Sequence, residues 1–489
     1  MHIRKLAGQT AIYGLSSIVG RLLNYFLVPL YTRVFLPAEY GVVTEFYAYV
    51  SFLIILFTYG METTFFRFNE SETAKDKVFS TALISLIASS GLLALISYLA
   101  SGSLAQLLRY PNHPEYVVWF GLILAADAVT SIPFARLRAQ GKPGQFALLK
   151  FINILLNVLL NLFFLLLCPF LMKQGNTWYQ ELLPHVYNPT IGIGYIFLSN
   201  LLASLLTLLL LLPSFKGIAA GFDRALWKRM MHYSLPLLVA GMAGMVNETM
   251  DRIFLKYLLP PDTALEQVGI YGACYKLSIL MTLFIQMFRY AAEPFFFKQA
   301  KEGNAKQVYA DVMKYFVLAC SFIFLGIMLY IDIVKFFIGE KYYPGLQVVP
   351  VLLLANLCLG VFFNLSIWYK LSGKTSYGAW LAVFGAVITL LLNAWWIPLF
   401  GYVGSAWATL ACYASMMLVS FYLGQKNYPV PYEMTRILIY LGSALALFFL
   451  SGYVRDLLGG NLLPVLAFNT VLLLLFAGLV YRQEKAKIL

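Results

Sequence analysis

The chain has 489 residues, of which 61% are hydrophobic and only 12% are charged, and its mean hydropathy is +0.77. A soluble globular domain carries about a quarter charged residues, so this composition excludes a soluble enzyme and predicts an all-α polytopic membrane protein. We attribute the net charge of +13 to Lys and Arg residues in the loops, because such residues orient a membrane protein. The charge therefore does not predict binding of nucleic acid.

Apolar windows separated by polar breaks predict about fourteen transmembrane helices, each long enough to cross a bilayer. In chain order they are 9–35, 43–66, 78–102, 116–138, 145–170, 190–213, 232–258, 268–295, 309–331, 345–370, 376–400, 402–424, 433–453 and 462–481. Lys and Arg concentrate in the loops on the N-terminal side, notably in the segment 216–229. The positive-inside rule therefore predicts that both termini are cytoplasmic.

The chain contains an internal repeat. A Gly-Lys turn at 141–142 matches one at 373–374, and at the same offset Asn161 matches Asn393. Spans 1–6 and 7–12 are therefore predicted to be two six-helix bundles related by a pseudo-two-fold axis along the membrane normal. The predicted domains are an N-terminal six-helix bundle at 1–213, a cytoplasmic linker at 214–231, a C-terminal six-helix bundle at 232–424, and two additional transmembrane helices at 425–489.

Cysteine spacing and nucleotide-binding patterns predict neither a metal site nor a resident cofactor. The five cysteines are scattered through apolar segments, at Cys168, Cys274, Cys320, Cys358 and Cys412. The segment 372–376 resembles the end of a phosphate-binding loop, but Trp368 occupies the position where that loop needs a glycine. A proton or Na⁺ is the candidate coupling ion, and the chain is predicted not to be an enzyme.

Charged residues inside the predicted spans carry the functional signal, because a charge in hydrocarbon costs a few kcal/mol unless it faces protein or a water-filled cavity. Arg21 shares one helical face with Ser17 and Asn24 and has no acidic residue one turn away. The candidate substrate-binding cations are Arg21, Arg33, Arg252, Lys276 and Arg289. They favour an anionic ligand, and a phosphate or pyrophosphate suits arginine best.

The acidic residues near these cations leave two interpretations open. Glu248 lies four residues before Arg252, and Glu293 lies four residues after Arg289, which is the spacing of structural ion pairs on one helix. The other interpretation is coupling to an ion gradient. The candidate coupling acids are Glu62, Glu248, Asp251 and Asp127, and the candidates for a gate or for pairing are Glu45 and Glu293. Asp127 also has the alternative role of a hydrogen-bonded buried acid.

Polar and aromatic side chains in the spans are candidates for contacts with sugars. They are Asn24, Tyr25, Tyr47 and Tyr275. Because aromatic residues make up 16% of the chain, packing and anchoring at the membrane interface explain any one of these tyrosines as well.

Several segments together resemble the MOP flippase superfamily, and most of all its polysaccharide-transporter branch, the O-antigen or capsule repeat-unit flippases. They are ArgValPheLeuProAlaGluTyrGly at 33–41, AspArgIlePheLeu at 251–255, ValGlyIleTyr at 268–271, GlyTyrValGlySerAlaTrpAla at 401–408, and the two Gly-Lys turns. The resemblance implies two bundles around a V-shaped cavity, alternating access, and transport of a polyprenyl-pyrophosphate-linked oligosaccharide from the cytoplasmic to the outer leaflet of the bacterial inner membrane. Membrane lipids and polysaccharide-assembly proteins are the implied partners.

One departure from the related lipid II flippases narrows the expected cargo. Those proteins use cavity arginines on spans 1, 2 and 8, whereas span 2 here carries Glu45 and Glu62 and no deep arginine. This difference favours a repeat-unit flippase. The alternatives are a multidrug cation antiporter of the same superfamily, which should have an acidic cavity and twelve spans, and a membrane glycosyltransferase or polymerase, which should have large outer loops.

Overall fold

The computed structural model describes residues 22–174, 183–300 and 302–485, without the side chains of Glu293 and Pro294. These residues form α-helices joined by short turns and 3₁₀ segments, and they contain no β-strand. The chain divides into two compact units. The first comprises the described residues up to Phe35 together with Val42–Thr249, and the second comprises Leu36–Gly41 together with the described chain from Met250 onward.

The helices up to the start of the second unit are mostly long and apolar. In order they are α1 Val28–Val34, α2 Pro37–Thr58, α3 Met61–Ser71, α4 Lys75–Leu99, α5 Ser101–Leu107, α6 Pro114–Ala139, α7 Pro143–Leu162, α8 Cys168–Gln174, α9 Gly194–Leu211 and α10 Arg224–Leu258. A π-helical turn, Phe163–Leu167, separates α7 from α8. The apolar core of this unit includes Met61, Phe65, Phe79 and Ile132, which are almost fully buried.

The remaining helices belong to the second unit. They are α11 Pro261–Leu277, α12 Ile279–Gln299, α13 Ala305–Met328, α14 Ile331–Val334, α15 Val349–Leu365, α16 Ile367–Leu371, α17 Ser376–Asn427, α18 Met434–Leu457 and α19 Leu462–Lys485. The core includes Trp368, Cys412, Tyr413 and Met416, which pack helix α17 against α15 and α16.

The helices confirm the predicted all-α, multi-pass membrane fold. Among the described residues, ten helices are long and apolar enough to span a membrane, or eleven if α11 and α12, bent by 52°, form one broken span. The predicted count of fourteen is compatible with this number. Helix α17 includes two predicted spans, 376–400 and 402–424, joined at Gly401 with φ 58°. Helix α10 contains the polar predicted span 232–258, and most of span 9–35 lies outside the described residues.

The two asparagines matched by the repeat have the same role in their own units. The Asn161 amide nitrogen donates to the carbonyl oxygen four residues earlier at 2.8 Å, and its amide oxygen accepts from the Tyr31 hydroxyl at 2.9 Å. Asn393 also donates to the carbonyl four residues earlier at 2.8 Å, and it accepts from the Ser405 hydroxyl at 3.0 Å. Both asparagines are fully buried. Asn161 therefore links two helices, and Asn393 links the two halves of α17 on either side of Gly401, while each satisfies its own polar atoms.

The two Gly-Lys turns also share one backbone conformation. Gly141 and Gly373 have φ values of 66° and 70°, in the left-handed region that glycine adopts without steric cost. Gly141 follows the end of α6, and the amide of Lys142 donates to the carbonyl of Leu137 at 2.9 Å, so the turn caps the helix. This conformation explains why glycine occupies both matched positions.

A buried lysine fastens the C-terminal helices α18 and α19 to α13. Lys314 on α13 is fully buried, and its ammonium lies 3.2 Å from Glu484 and 3.7 Å from Glu433. Arg436 completes the network at 2.9 Å from Glu433 and 3.4 Å from Glu484. The hydroxyl of Tyr440 donates to Glu484 at 2.5 Å. A buried charge is tolerable only with such compensation, so these contacts define the position of α19 on α13.

The opposite ends of the same helices carry a second polar network. The carboxylate of Asp332 accepts from Lys335 at 3.0 Å and also from the guanidinium of Arg455. Buried Asn469 donates to the carbonyl of Leu329 at 2.6 Å and accepts from the hydroxyl of Ser451 at 2.6 Å. Helices α18 and α19 are thus attached to the region of α13 and α14 at both ends.

Candidate functional site

Asp251 and Arg252 form a buried ion pair near the end of α10. Their side chains are buried, and the guanidinium Nη1 lies 2.9 Å from the Asp251 Oδ1 atom. The Arg252 backbone amide donates to the same oxygen at 2.8 Å. The hydroxyl of Tyr271, on α11, donates to the other oxygen, Oδ2, at 2.7 Å. Both carboxylate oxygens are therefore hydrogen-bonded, as a buried carboxylate requires.

The guanidinium of Arg252 also packs on aromatic rings of α11. Its Cζ atom lies 4.3 Å from the centre of the Tyr275 ring and 5.8 Å from that of Tyr271. Such cation–π contacts fix the orientation of the planar guanidinium. Sequence reasoning identified Asp251, Arg252 and Tyr275 individually, and the structure brings them together. It missed the hydroxyl of Tyr271 as the second partner of Asp251, because that partner comes from another helix.

Lys276 adds a positive charge beside this ion pair. Its side chain is half-buried and lies within electrostatic range of Arg252. Within the described part of the chain, no carboxylate forms an ion pair with Lys276. Because Asp251 already balances Arg252, the group carries a net charge of about +1. Such a charge inside a helical membrane protein is a functional signal, since it calls for an anion or for water.

On α10, the ion pair that the structure describes joins Arg252 to Asp251, and the predicted pairing of Arg252 with Glu248 stays a prediction. The guanidinium of Arg252 donates to the carboxylate of the adjacent residue, Asp251. Side chains of adjacent helical residues ordinarily point in different directions. The long arginine side chain folds back to make this contact. Glu248 lies one turn earlier, and its side chain is exposed.

Arg289 lies in a separate set of contacts. Its guanidinium is exposed and packs 4.4 Å from the centre of the Phe363 ring. A small cleft of about 20 Å³ beside it is lined by Asn364 and Lys370, among others. The predicted pairing with Glu293 concerns a side chain outside the described set, so it stays a prediction.

In the first unit, Asp127 faces residues of three neighbouring helices. Its Oδ1 atom accepts from the Ser204 hydroxyl on α9 at 2.8 Å. Tyr47 on α2 and Lys150 on α7 lie within electrostatic range of its carboxylate. The hydroxyl of Tyr47 in turn accepts from the Asn200 amide at 3.1 Å. Asp127 is exposed, although the residues on either side of it along α6 are buried.

Two further candidate acids of the first unit, Glu62 and Glu45, are bonded to protein groups. Glu62 forms an ion pair with Arg138 at the end of α6. Glu45 is fully buried and accepts from the hydroxyl of Tyr110 at 2.5 Å. The predicted roles, ion coupling for Glu62 and a gate or pairing for Glu45, stay predictions.

The predicted ligands at the start of the chain are only partly described. Arg21 lies outside the described residues. Arg33 is exposed, and its guanidinium donates to the carbonyl of Pro29 at 2.9 Å. Asn24 accepts from the Asn157 amide at 3.3 Å, and the ring of Tyr25 lies 6.1 Å from that of Phe26.

The helices define a multi-pass membrane protein, and comparison with solved structures identifies its fold. The lipid II flippase MurJ in an inward closed conformation matches with a TM-score of 0.72 and 14% identity, over 96% of this chain and 99% of that chain. An inward-facing multidrug resistance MATE family transporter of the MOP superfamily matches with a TM-score of 0.64 and 14% identity, over 85% of this chain and 94% of that one.

A third structure with this fold is a MOP superfamily transporter from Pyrococcus furiosus, with a TM-score of 0.53 and 14% identity, over 87% of this chain and 94% of that one. No curated protein matches the sequence. A family model described as "Polysaccharide biosynthesis protein" matches residues 6–300, which is more than half of the chain. The chain therefore belongs to this polysaccharide biosynthesis family of MOP flippases, and it is a transporter and not an enzyme.

Proposed function

We propose that the protein moves a polyprenyl-pyrophosphate-linked oligosaccharide from the cytoplasmic to the outer leaflet by alternating access, for the synthesis of a surface polysaccharide. The observation that carries this proposal is Lys276, an ammonium beside the Asp251–Arg252 pair that has no carboxylate partner in the described chain. Family membership supports the class of cargo. We place the protein in the cytoplasmic membrane of a bacterium, with both termini in the cytoplasm.

The proposed domain organisation follows the repeat. The six-helix bundles are 1–213 and 232–424, the linker is 214–231, and the two additional helices lie within 425–489. The matched hydrogen bonds of Asn161 and Asn393 support two equivalent bundles.

The chemistry of the charged group suits a phosphate-containing headgroup. Arg252 is held in place by Asp251 and by the Tyr275 ring, so little conformational entropy is lost when it binds a ligand. Lys276 supplies the uncompensated charge and up to three donors. A pyrophosphate loses its hydration inside the membrane. Hydrogen bonds from the guanidinium and from the ammonium replace that hydration when the pyrophosphate bridges them. We assign the glycan contacts to Asn24, Tyr25, Tyr47 and Tyr275, and further headgroup contacts to Arg21, Arg33 and Arg289.

Lys276→Gln is expected to lower transport by about tenfold to a hundredfold, because a charge-assisted hydrogen bond contributes about 1.5–3 kcal/mol. The assay uses sealed vesicles loaded with an undecaprenyl-pyrophosphate oligosaccharide, whose arrival outside is followed with an impermeant glycan probe. The matched control is Lys374→Gln, which removes an exposed ammonium bonded to Asn427 at 2.7 Å. If Lys276→Gln transports the oligosaccharide at the wild-type rate, the charge of Lys276 has no part in the mechanism. If the wild-type protein itself transports none, the proposed cargo is wrong.

We assign the coupling role to Asp127 in preference to Glu62, Glu248 or Asp251. Glu62 and Asp251 are bound to arginines, whereas Asp127 is exposed and accepts from the Ser204 hydroxyl. A proton or Na⁺ is the ion that such a carboxylate binds. An inside-negative membrane potential also favours outward movement of an anionic cargo, by about 2.3 kcal/mol per charge per 100 mV.

Asp127→Asn is expected to abolish the dependence of transport on the ion gradient while leaving its dependence on membrane potential. The amide cannot exchange a proton or balance the charge of Na⁺, so the gradient no longer contributes driving force. Transport is measured with imposed pH, Na⁺ and potential gradients in turn. Glu70→Gln, at an exposed carboxylate of the same unit, is the control. An unchanged response of Asp127→Asn to every gradient would exclude this coupling role.

A further inference from the structure

A cavity of about 570 Å³ lies where α13 and α14 meet α18 and α19. It is within the size range of small-molecule sites, which is about 300–1,000 Å³. Its lining includes Met328, Leu346, Pro350 and Phe448, and the polar groups at its edge are those of the Asp332 network. No step of the proposed transport mechanism uses this cavity.

The charge at the edge of this cavity is positive and incompletely compensated. The same oxygen of Asp332, Oδ1, accepts both from Lys335 and from Arg455, so two cations share one carboxylate. The side chain of Arg455 is 39% exposed, and only its Nη2 atom is bonded to a protein group within the described chain. A guanidinium has five N–H donors, so several remain to bind a ligand.

The position of the cavity indicates that the ligand comes from the bilayer. Helices α13 and α18 end at Met328 and Leu457, and α19 begins at Leu462, so the cavity lies at the ends of three candidate membrane spans. Ends of spans lie at the level of the lipid headgroups. The apolar lining suits an acyl chain or a glycerol backbone, while the two cations suit a phosphate.

We propose that this cavity, which we call the Asp332 pocket, binds one membrane glycerophospholipid by its anionic headgroup. The phosphate contacts the remaining donors of Arg455 and Lys335, and the start of the acyl chains packs on the apolar lining. Asp332 holds the two cations together and keeps the net charge of the edge at about +1, so the site selects a lipid with a net negative charge. This proposal is independent of the transported cargo.

Native mass spectrometry of the protein, released from detergent after incubation with phosphatidylglycerol, tests this proposal. We expect wild-type protein to retain one more phosphatidylglycerol molecule than Lys335→Gln/Arg455→Gln, with affinity in the variant lower by about tenfold or more. The matched control is Lys374→Gln/Lys426→Gln, which removes the same charge from exposed sites of the same unit and should retain the lipid.

A second variant narrows the cavity and keeps both cations and Asp332. Gly452 lines the cavity, and a Cβ atom there would meet no other atom within 4 Å, so Gly452→Leu places its side chain at a position where the cavity wall is open. We expect this variant to lose the same lipid molecule. Equal retention by wild type and both variants would overturn the proposal. Full displacement of the lipid by inorganic phosphate would also overturn it, because the site would then bind a free anion.

Discussion

Gly269→Val is expected to prevent the second unit from reaching its native packing, at a cost of more than about 3 kcal/mol. A Cβ atom at Gly269 would overlap the carbonyl oxygen of Pro37, and one at Gly41 would overlap the carbonyl of Leu265. The first turn of α2 and the middle of α11 therefore cross with their backbones in direct contact. Backbone atoms cannot move aside as a flexible side chain can, so the helices must separate. The measurement is the yield and the melting temperature of purified protein in one detergent.

The control for this substitution is Gly326→Val, on α13 of the same unit. A Cβ atom at Gly326 meets no other atom within 4 Å, so the added side chain displaces nothing. We expect its yield and melting temperature to stay close to those of the wild type. Equal behaviour of the Gly269 and Gly326 variants would contradict the close crossing.

The second large effect is expected at the Asp251–Arg252 pair. Arg252→Leu removes the guanidinium from a carboxylate that is 4% exposed, and Asp251→Leu removes from the buried guanidinium the carboxylate that lies 2.9 Å away. Breaking a buried ion pair from either side destabilises a protein by about 3–5 kcal/mol. The double variant removes both charges together, so its cost should be well below the sum of the single costs.

Unfolding measurements on the wild type, both single variants and the double variant give the coupling energy of this pair. Lys276→Gln belongs in the same series, because it removes a charge that has no carboxylate partner in the described chain and should change stability little. Additive effects of the two leucine substitutions would show that the charges do not stabilise each other. A large loss of stability in Lys276→Gln would assign that lysine a structural role.

Local sequence signals were sufficient to predict the helices and their repeat. Apolar stretches gave the spans because helical backbone in a membrane must satisfy its own hydrogen bonds. The break between spans at 401 coincides with Gly401, whose positive φ interrupts α17. The glycines of the two Gly-Lys turns were recognised as equivalent, and their left-handed conformation supplies the physical reason.

The partners of the charged residues could be predicted only where they were near in sequence. Lys314 on α13 is a cation whose main partners are distant in sequence. In the structure it is fully buried, because Glu433 and Glu484 reach it from α18 and α19. The bond from the Tyr271 hydroxyl to Asp251 likewise depends on how α11 lies against α10. Such contacts depend on how the helices pack. The spacing of residues along one helix does not predict that packing.

The network around Lys314 also has a consequence for how the protein is made. Helix α13 enters the membrane when Glu484, 170 residues further along the chain, has not yet been synthesised. Of the three carboxylates that the structure describes within 4.0 Å of the Lys314 ammonium, Asp311, one turn away at 3.8 Å, is the one already synthesised at that moment. The nascent chain therefore carries a poorly compensated cation until its last helix arrives. Translation of the final segment is then the step that locks α13 in place, and a chain released before it would expose this lysine to lipid.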